Sequence, residues 1–135
     1  MSASHAAEIR RRYLAEAVET STPAVRLTML FDRLDHDLRA ADAAFAAGSI
    51  KEISDTLIHA QEIVLALRDT LRLDVWEGAP RLAALYDFFH SELVSANLAK
   101  DRERAARTAE LIGQIGEAFR EAAQRSQQEA FSGVA

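Results

Sequence analysis

The sequence predicts an all-α protein: an antiparallel up-down four-helix bundle preceded by a short N-terminal capping helix. Three observations carry this expectation. Apolar residues recur at alternating spacings of three and four through most of the chain, the period that lays one stripe along an α-helix. Both prolines stand where helices can start, and runs of β-branched residues are missing. At 135 residues the chain is about one domain, long enough to bury a core without cross-links, and with no cysteine it has no disulfides to provide them.

The first element is short. Ala6, Ile9, Tyr13 and Ala17 share one face of a helix that is too brief to be stable alone, so it must dock on something larger. A polar hinge, Glu19 to Thr22, follows it. Thr22 can accept from the free N–H groups of a first turn and Pro23 suits the first helical position, so the first long helix is expected from Pro23 to about Ala47. Its stripe is Leu27, Leu30, Leu34, Leu38, Ala41 and Phe45, and Gly48 can end it in a left-handed conformation.

A second helix is expected from about Ser49 to Leu73, burying Ile50, Ile53, Leu57, Ala60, Val64, Leu67 and Leu71. Asp74 to Pro80, with Trp76 and Gly78, forms a connection. The third helix, about Pro80 to Ala99, carries Leu82, Leu85, Tyr86, Phe89, Leu93 and Ala96. The fourth, about Asp101 to Gln127, turns Thr108, Ile112, Ile115, Phe119 and Ala122 inward. Links this short leave sequential helices as antiparallel neighbours. The expected organisation is therefore a cap segment and hinge over 1–22, the bundle over 23–127 and a frayed tail over 128–135.

A bundle helix needs one apolar stripe, so apolar or very small residues elsewhere point to contacts outside the core. Val25 and Met29 lie opposite the leucine stripe of the first long helix, together with His36, Ala40 and Ala43. Ile58 and Leu65 form a shoulder beside the stripe of the second. On the fourth, Ala106, Ala109, Gly113 and Gly116 make a strip almost without side chains, and two mid-helix glycines suggest close approach by another backbone. That backbone belongs either to a neighbouring bundle helix or to a partner. Phe88 points away from its helix's core face. Tyr86 and Asn97 sit at the edge of that stripe, as inter-helical hydrogen-bonding groups or as peptide contacts.

Nothing in the sequence nominates catalysis. No phosphate-binding loop, zinc-ligand spacing or nucleophile elbow occurs, and no cofactor is expected. His59 is the one candidate for a phosphotransfer histidine, but Glu62 and Ile63 stand where such domains carry lysine and glycine. The net charge of −5, with both signs dispersed, argues against a grip on nucleic acid. Arg10-Arg11-Arg12 reads as a solvated face. No apolar run approaches the roughly 20 residues that span a bilayer, and no signal-peptide core precedes the bundle. A cytoplasmic protein, without nucleic-acid or membrane partners, is expected.

Two blocks carry a family resemblance. Tyr13, Val18, Thr20, Thr22-Pro23, Met29-Leu30-Phe31 and Asp32 resemble a signature of the FliS family, the flagellar secretion chaperones that bind flagellin. Leu85-Tyr86-Asp87-Phe88 with Leu93, Ala96-Asn97 and Asp101 is similar to that family's second block, at the right distance. The likeness extends over roughly residues 10 to 122. Val25 and Arg26 depart from the acidic residue and leucine common there, Thr22 and Phe31 replace serine and tyrosine, and the tryptophan frequent near the end of helix four is missing.

The resemblance implies a non-catalytic chaperone. Its partner would be the C-terminal segment of flagellin, kept from premature polymerisation and competent for passage through the flagellar export apparatus, a further implied partner. It also implies an N-terminal segment that guards the flagellin-binding surface. The expected contact residues are Ile9, Tyr13, Val25, Met29, Phe31, Ile58, Leu65, Tyr86, Phe88, Asn97, Ala109, Gly113 and Gly116. Two alternatives are a histidine phosphotransfer bundle, which needs an accessible His59, and an adaptor for another secreted protein.

Overall fold

The computed structural model describes residues 5–9, 23–72 and 77–134. Residues 5–9 are helical and exposed. Four long helices follow: α1 (Pro23–Ala47), α2 (Ile50–Asp69), α3 (Ala79–Ala99) and α4 (Arg102–Val134). Tyr13, the hinge through Thr22, the Arg10 to Arg12 run and Trp76 lie outside the described residues.

Local chemistry sets each boundary. Pro23 opens α1. Gly48, at φ +70°, closes it, its N–H donating to the Phe45 carbonyl while the Ser49 N–H donates to that of Ala44. This is the paired-bond ending that a left-handed glycine permits. Ser49 then caps α2 by accepting from the Glu52 N–H at 3.4 Å. The helix stops at Asp69, short of the expected Leu73. There the Thr70 hydroxyl donates to the Leu67 carbonyl, and the last N–H groups reach back only three residues, tightening the final turn.

The α3–α4 junction uses a left-handed residue that is not glycine. Lys100 sits at φ 50° and ψ 49°, and the Asp101 N–H donates to the Ala96 carbonyl. The Lys100 ammonium compensates by donating to Ser54 Oγ and to the Asn97 carbonyl and side-chain oxygens, so it ties the end of α3 to α2. Asp101 in turn caps α4 by accepting from the Arg104 N–H. The last helix continues past Gln127 to Val134, and of the residues added Gln128, Glu129 and Ala130 are good helix formers.

Each helix packs on its sequence neighbours, and α4 closes the ring on α1. Paired contacts give the directions. Between α2 and α3, Ser54 meets Asn97 while Arg68 meets Asp87; between α1 and α4, Asp42 meets Arg102 while Asp32 meets Arg120. In both pairs one number rises as the other falls, so the neighbours are antiparallel.

The core follows the expected stripes with three revisions. Leu34, Leu38, Ala41, Ile53, Leu57, Ala60, Val64, Leu67, Tyr86, Phe89, Leu93, Ala96 and Ile112 are buried, as is Thr108. Phe31, Ala44, Ile63, Ala83 and Ala105 join them unforeseen. Ile50, expected inside, is exposed because it occupies the first turn of α2, beyond the reach of the core. Ala122 faces solvent and Ala123 is buried instead, the stripe having drifted by one residue at the end of the bundle.

Candidate partner-binding surface

The expected contact residues divide between core and surface. Ile58 and Leu65, on the outer edge of α2 that flanks α3, are 46% and 45% exposed. Phe88 is likewise half exposed on α3, and Leu98, near that helix's end, is 81% exposed. Val25 and Met29 are half-buried on α1, and Ile9 is exposed in the N-terminal helical residues. Leu111, 42% exposed on α4, was not foreseen. It falls four residues after Arg107 on a mostly charged face, so no apolar periodicity flagged it.

Three of the expected contact residues are in the interior. Phe31 is fully buried, stacked on Phe119 with ring centroids 5.4 Å apart and tilted against Tyr86 at 6.5 Å. The reason is geometric: residues 27, 30, 31 and 34 form one broad face, so Phe31 shares the leucine stripe. Gly116 is buried beneath it, and a Cβ there would meet Phe31 Cδ1 at 3.1 Å. The close approach read from this glycine is thus an internal ring. Tyr86 is 1% exposed, and its hydroxyl has no hydrogen-bond partner among the described residues.

Asn97 is engaged within the bundle, its side-chain oxygen accepting from Lys100 Nζ at 2.6 Å and Ser54 Oγ at 3.2 Å. Gly113 differs from Gly116. A Cβ added at Gly113 would meet nothing within 4 Å. With Ala109 it lines a cleft of about 560 Å³ between α1 and α4, floored by Leu38 and Phe45 and bordered by Asp35, Arg39, Asp42 and Arg120. A mid-helix glycine there gives up about 1 kcal/mol of helix propensity with no contact that requires it.

Ion pairs fasten the helices around these surfaces. Arg102 holds Asp42 through two bonds of 2.9 and 3.2 Å, and Arg120 reaches Asp32 at 2.7 Å and Asp35 at 2.8 Å. Arg104 grips Glu92 across α3 and α4 with bonds of 2.5 and 3.1 Å. These donated bonds hold the Asp42 and Glu92 carboxyls below the usual carboxylate range. His59 Nδ1 donates to the buried Asp37 at 2.5 Å, which joins α2 to α1 and occupies the ring nitrogen on that side.

Among the described residues, no group of three or more histidine, aspartate or glutamate side chains is placed to hold a metal ion. Nor is any described helix long and apolar enough to cross a membrane. What the site presents is exposed apolar side chains and shallow clefts on a rigid helical scaffold. Chemistry of that kind suits recognition of a polypeptide.

Comparison with known proteins defines the class. The family described as "Flagellar protein FliS" matches residues 5–126. The flagellar secretion chaperone FliS of Bacillus subtilis (strain 168) is 28% identical over 112 residues, which cover 83% of this chain and 84% of that one. A solved structure described as a flagellar chaperone from bacteria superimposes with a TM-score of 0.70 at 15% identity, covering 87% of this chain and 97% of its own. The fold is that of a flagellar chaperone. The chain belongs to the FliS family.

Proposed function

We propose that this chaperone binds the C-terminal segment of flagellin in the cytoplasm, prevents its premature polymerisation and keeps it competent for the flagellar export apparatus. The observation that carries the reading is the pair Ile58 and Leu65, two half-exposed branched side chains seven residues apart on a helix that is already fully packed. Seven residues are close to two helical turns, so the pair presents one apolar line to a partner. A flagellin segment that is unstructured when free becomes helical as its apolar residues settle on that line and in the α1–α4 cleft. Ordering the segment consumes part of the interaction energy, which keeps the complex releasable without ATP.

Residues 1–22 act in this reading as a displaceable cover. Tyr13 is its proposed anchor and 19–22 its hinge. Hydrogen exchange tests the idea directly: protection over residues 6–17 falls when partner is added, and protection equal to the bundle core and unaffected by partner ends it.

Circular dichroism of the purified protein mixed with about the last 40 residues of its own organism's flagellin tests the function, because folding on binding adds helix beyond the sum of the parts. A spectrum equal to that sum under saturating conditions counts against flagellin and favours an adaptor for another secreted protein. A phosphotransfer role has less support: the His59 side chain is 41% exposed, as that role needs, but Glu62 and Ile63 stand where such domains carry lysine and glycine.

A further inference from the structure

The outer edge of α2 that carries Ile58 and Leu65 has a second regularity. Asp55, Glu62 and Asp69 stand seven residues apart, with Ile58 and Leu65 between them, so acidic and apolar side chains alternate at spacings of three and four along one line. All five are exposed. Two observations set these carboxylates apart from an ordinary solvated face. No lysine or arginine of α2 lies three or four residues from Glu62 or Asp69, the spacing at which a helix pairs its own charges. On α4, by contrast, Glu103 and Glu117 are paired with Arg107 and Arg120 at those spacings. Asp69 is moreover the last residue of α2, where a negative charge opposes the helix dipole. The two bases of α2 are already matched, Lys51 by Asp55 at 2.6 Å and Arg68 by Asp87 of α3 at 3.2 Å.

A seven-residue repeat suits a second helix lying along the first, as in a coiled coil, and over two repeats a straight helix drifts only about 40° from it. The charges say what that second helix carries. Its apolar residues meet Ile58 and Leu65, and the positions beside them face a line of one sign, which lysine or arginine matches and aspartate or glutamate is repelled by. We infer that α2 selects, within the flagellin segment, a helical stretch whose apolar residues are interleaved with basic ones, and that Glu62 and Asp69 set this preference. Such charges at the rim of a contact act mainly on the rate of encounter. This rests on the reading of flagellin as partner and adds the charge of the stretch that lies on α2.

The test is stopped-flow association of the full-length protein with a fluorescently labelled flagellin C-terminal peptide, at low and at high salt. It compares the wild type with Glu62→Gln/Asp69→Asn, which keeps the shape of both side chains and leaves Ile58 and Leu65 in place. At low salt the double variant is expected to associate about three- to tenfold more slowly and to lose most of the salt dependence. A peptide with its lysines and arginines replaced by glutamine is expected to bind the wild type as slowly as the unaltered peptide binds the variant. Equal rates and equal salt dependence in the two proteins overturn the inference and leave the flagellin reading intact. Failure of the unaltered peptide to bind the wild type overturns the two together. Faster or tighter binding by the variant also overturns the inference, and assigns the two carboxylates to the chain's own Arg10 to Arg12.

Discussion

Gly116 lies directly under the Phe31 ring, with room for a Cβ only 3.1 Å from Phe31 Cδ1. Phe31 is itself held between Phe119 and Tyr86, so it has little freedom to yield. The contact explains why one glycine of α4 is required by the fold while its neighbour Gly113 is not. Gly113→Ala is expected to stabilise the protein by about 1 kcal/mol, the helix-propensity gain. Gly116→Val is expected to destabilise it by about 1–3 kcal/mol through overpacking. Urea titration of the two variants checks both signs.

Tyr86→Phe is expected to leave stability at neutral pH unchanged or slightly raised, because the substitution removes a hydroxyl that has no partner among the described residues. Burial pushes the Tyr86 phenol's pKa up from its ordinary value. Above about pH 10 the unfolded chain then releases a proton that the folded chain retains. Stability attributable to this group is complete below about pH 10 and falls as pH rises, by at most about 1.4 kcal/mol per unit. Chemical denaturation at pH 8 and at pH 11 should show a smaller loss in Tyr86→Phe than in the wild type; an identical loss contradicts the assignment.

His59 and Asp37 form one unit. Removing the imidazole leaves a buried carboxylate without its hydrogen-bond donor, so His59→Ala is expected to cost about 1–3 kcal/mol. The double variant with Asp37→Ala should lose less than the sum of the single losses. Strict additivity in that cycle would show that the two side chains act independently.

Much of the bundle was legible in the sequence because its boundaries are written in residues with few conformational options. Pro23, Gly48 and Pro80 mark starts and stops, and the three-and-four spacing names most of the core. Lys100 was not legible, since nothing in a lysine announces a left-handed turn; its ammonium network appears only when α2 and α3 are brought together. Phe31 was misplaced because Leu27, Leu30 and Leu34 already account for a stripe, and a wider buried face becomes evident only with α4 against it. Ile58, Leu65 and Phe88 were found at the surface as expected, being apolar residues off the stripe.

Arg120 clamps α4 to α1 through Asp32 and Asp35. Both carboxylates lie at the bundle's edge, so Arg120→Ala is expected to cost only about 1 kcal/mol, and less in high salt. A loss unaffected by ionic strength would mean that packing of the arginine stem, not the ion pairs, supplies the effect.

The claim that matters most is that exposed apolar side chains on this bundle take up the flagellin C-terminal segment. Calorimetric titration with that peptide at several temperatures, comparing the wild type with Ile58→Asp/Leu65→Asp, tests it most directly. The account expects a negative heat-capacity change for the wild type. It expects the double variant, still folded, to bind at least about tenfold more weakly, since each lost apolar contact is worth about 1 kcal/mol or more. Equal affinity and equal heat-capacity change in the two proteins would contradict it.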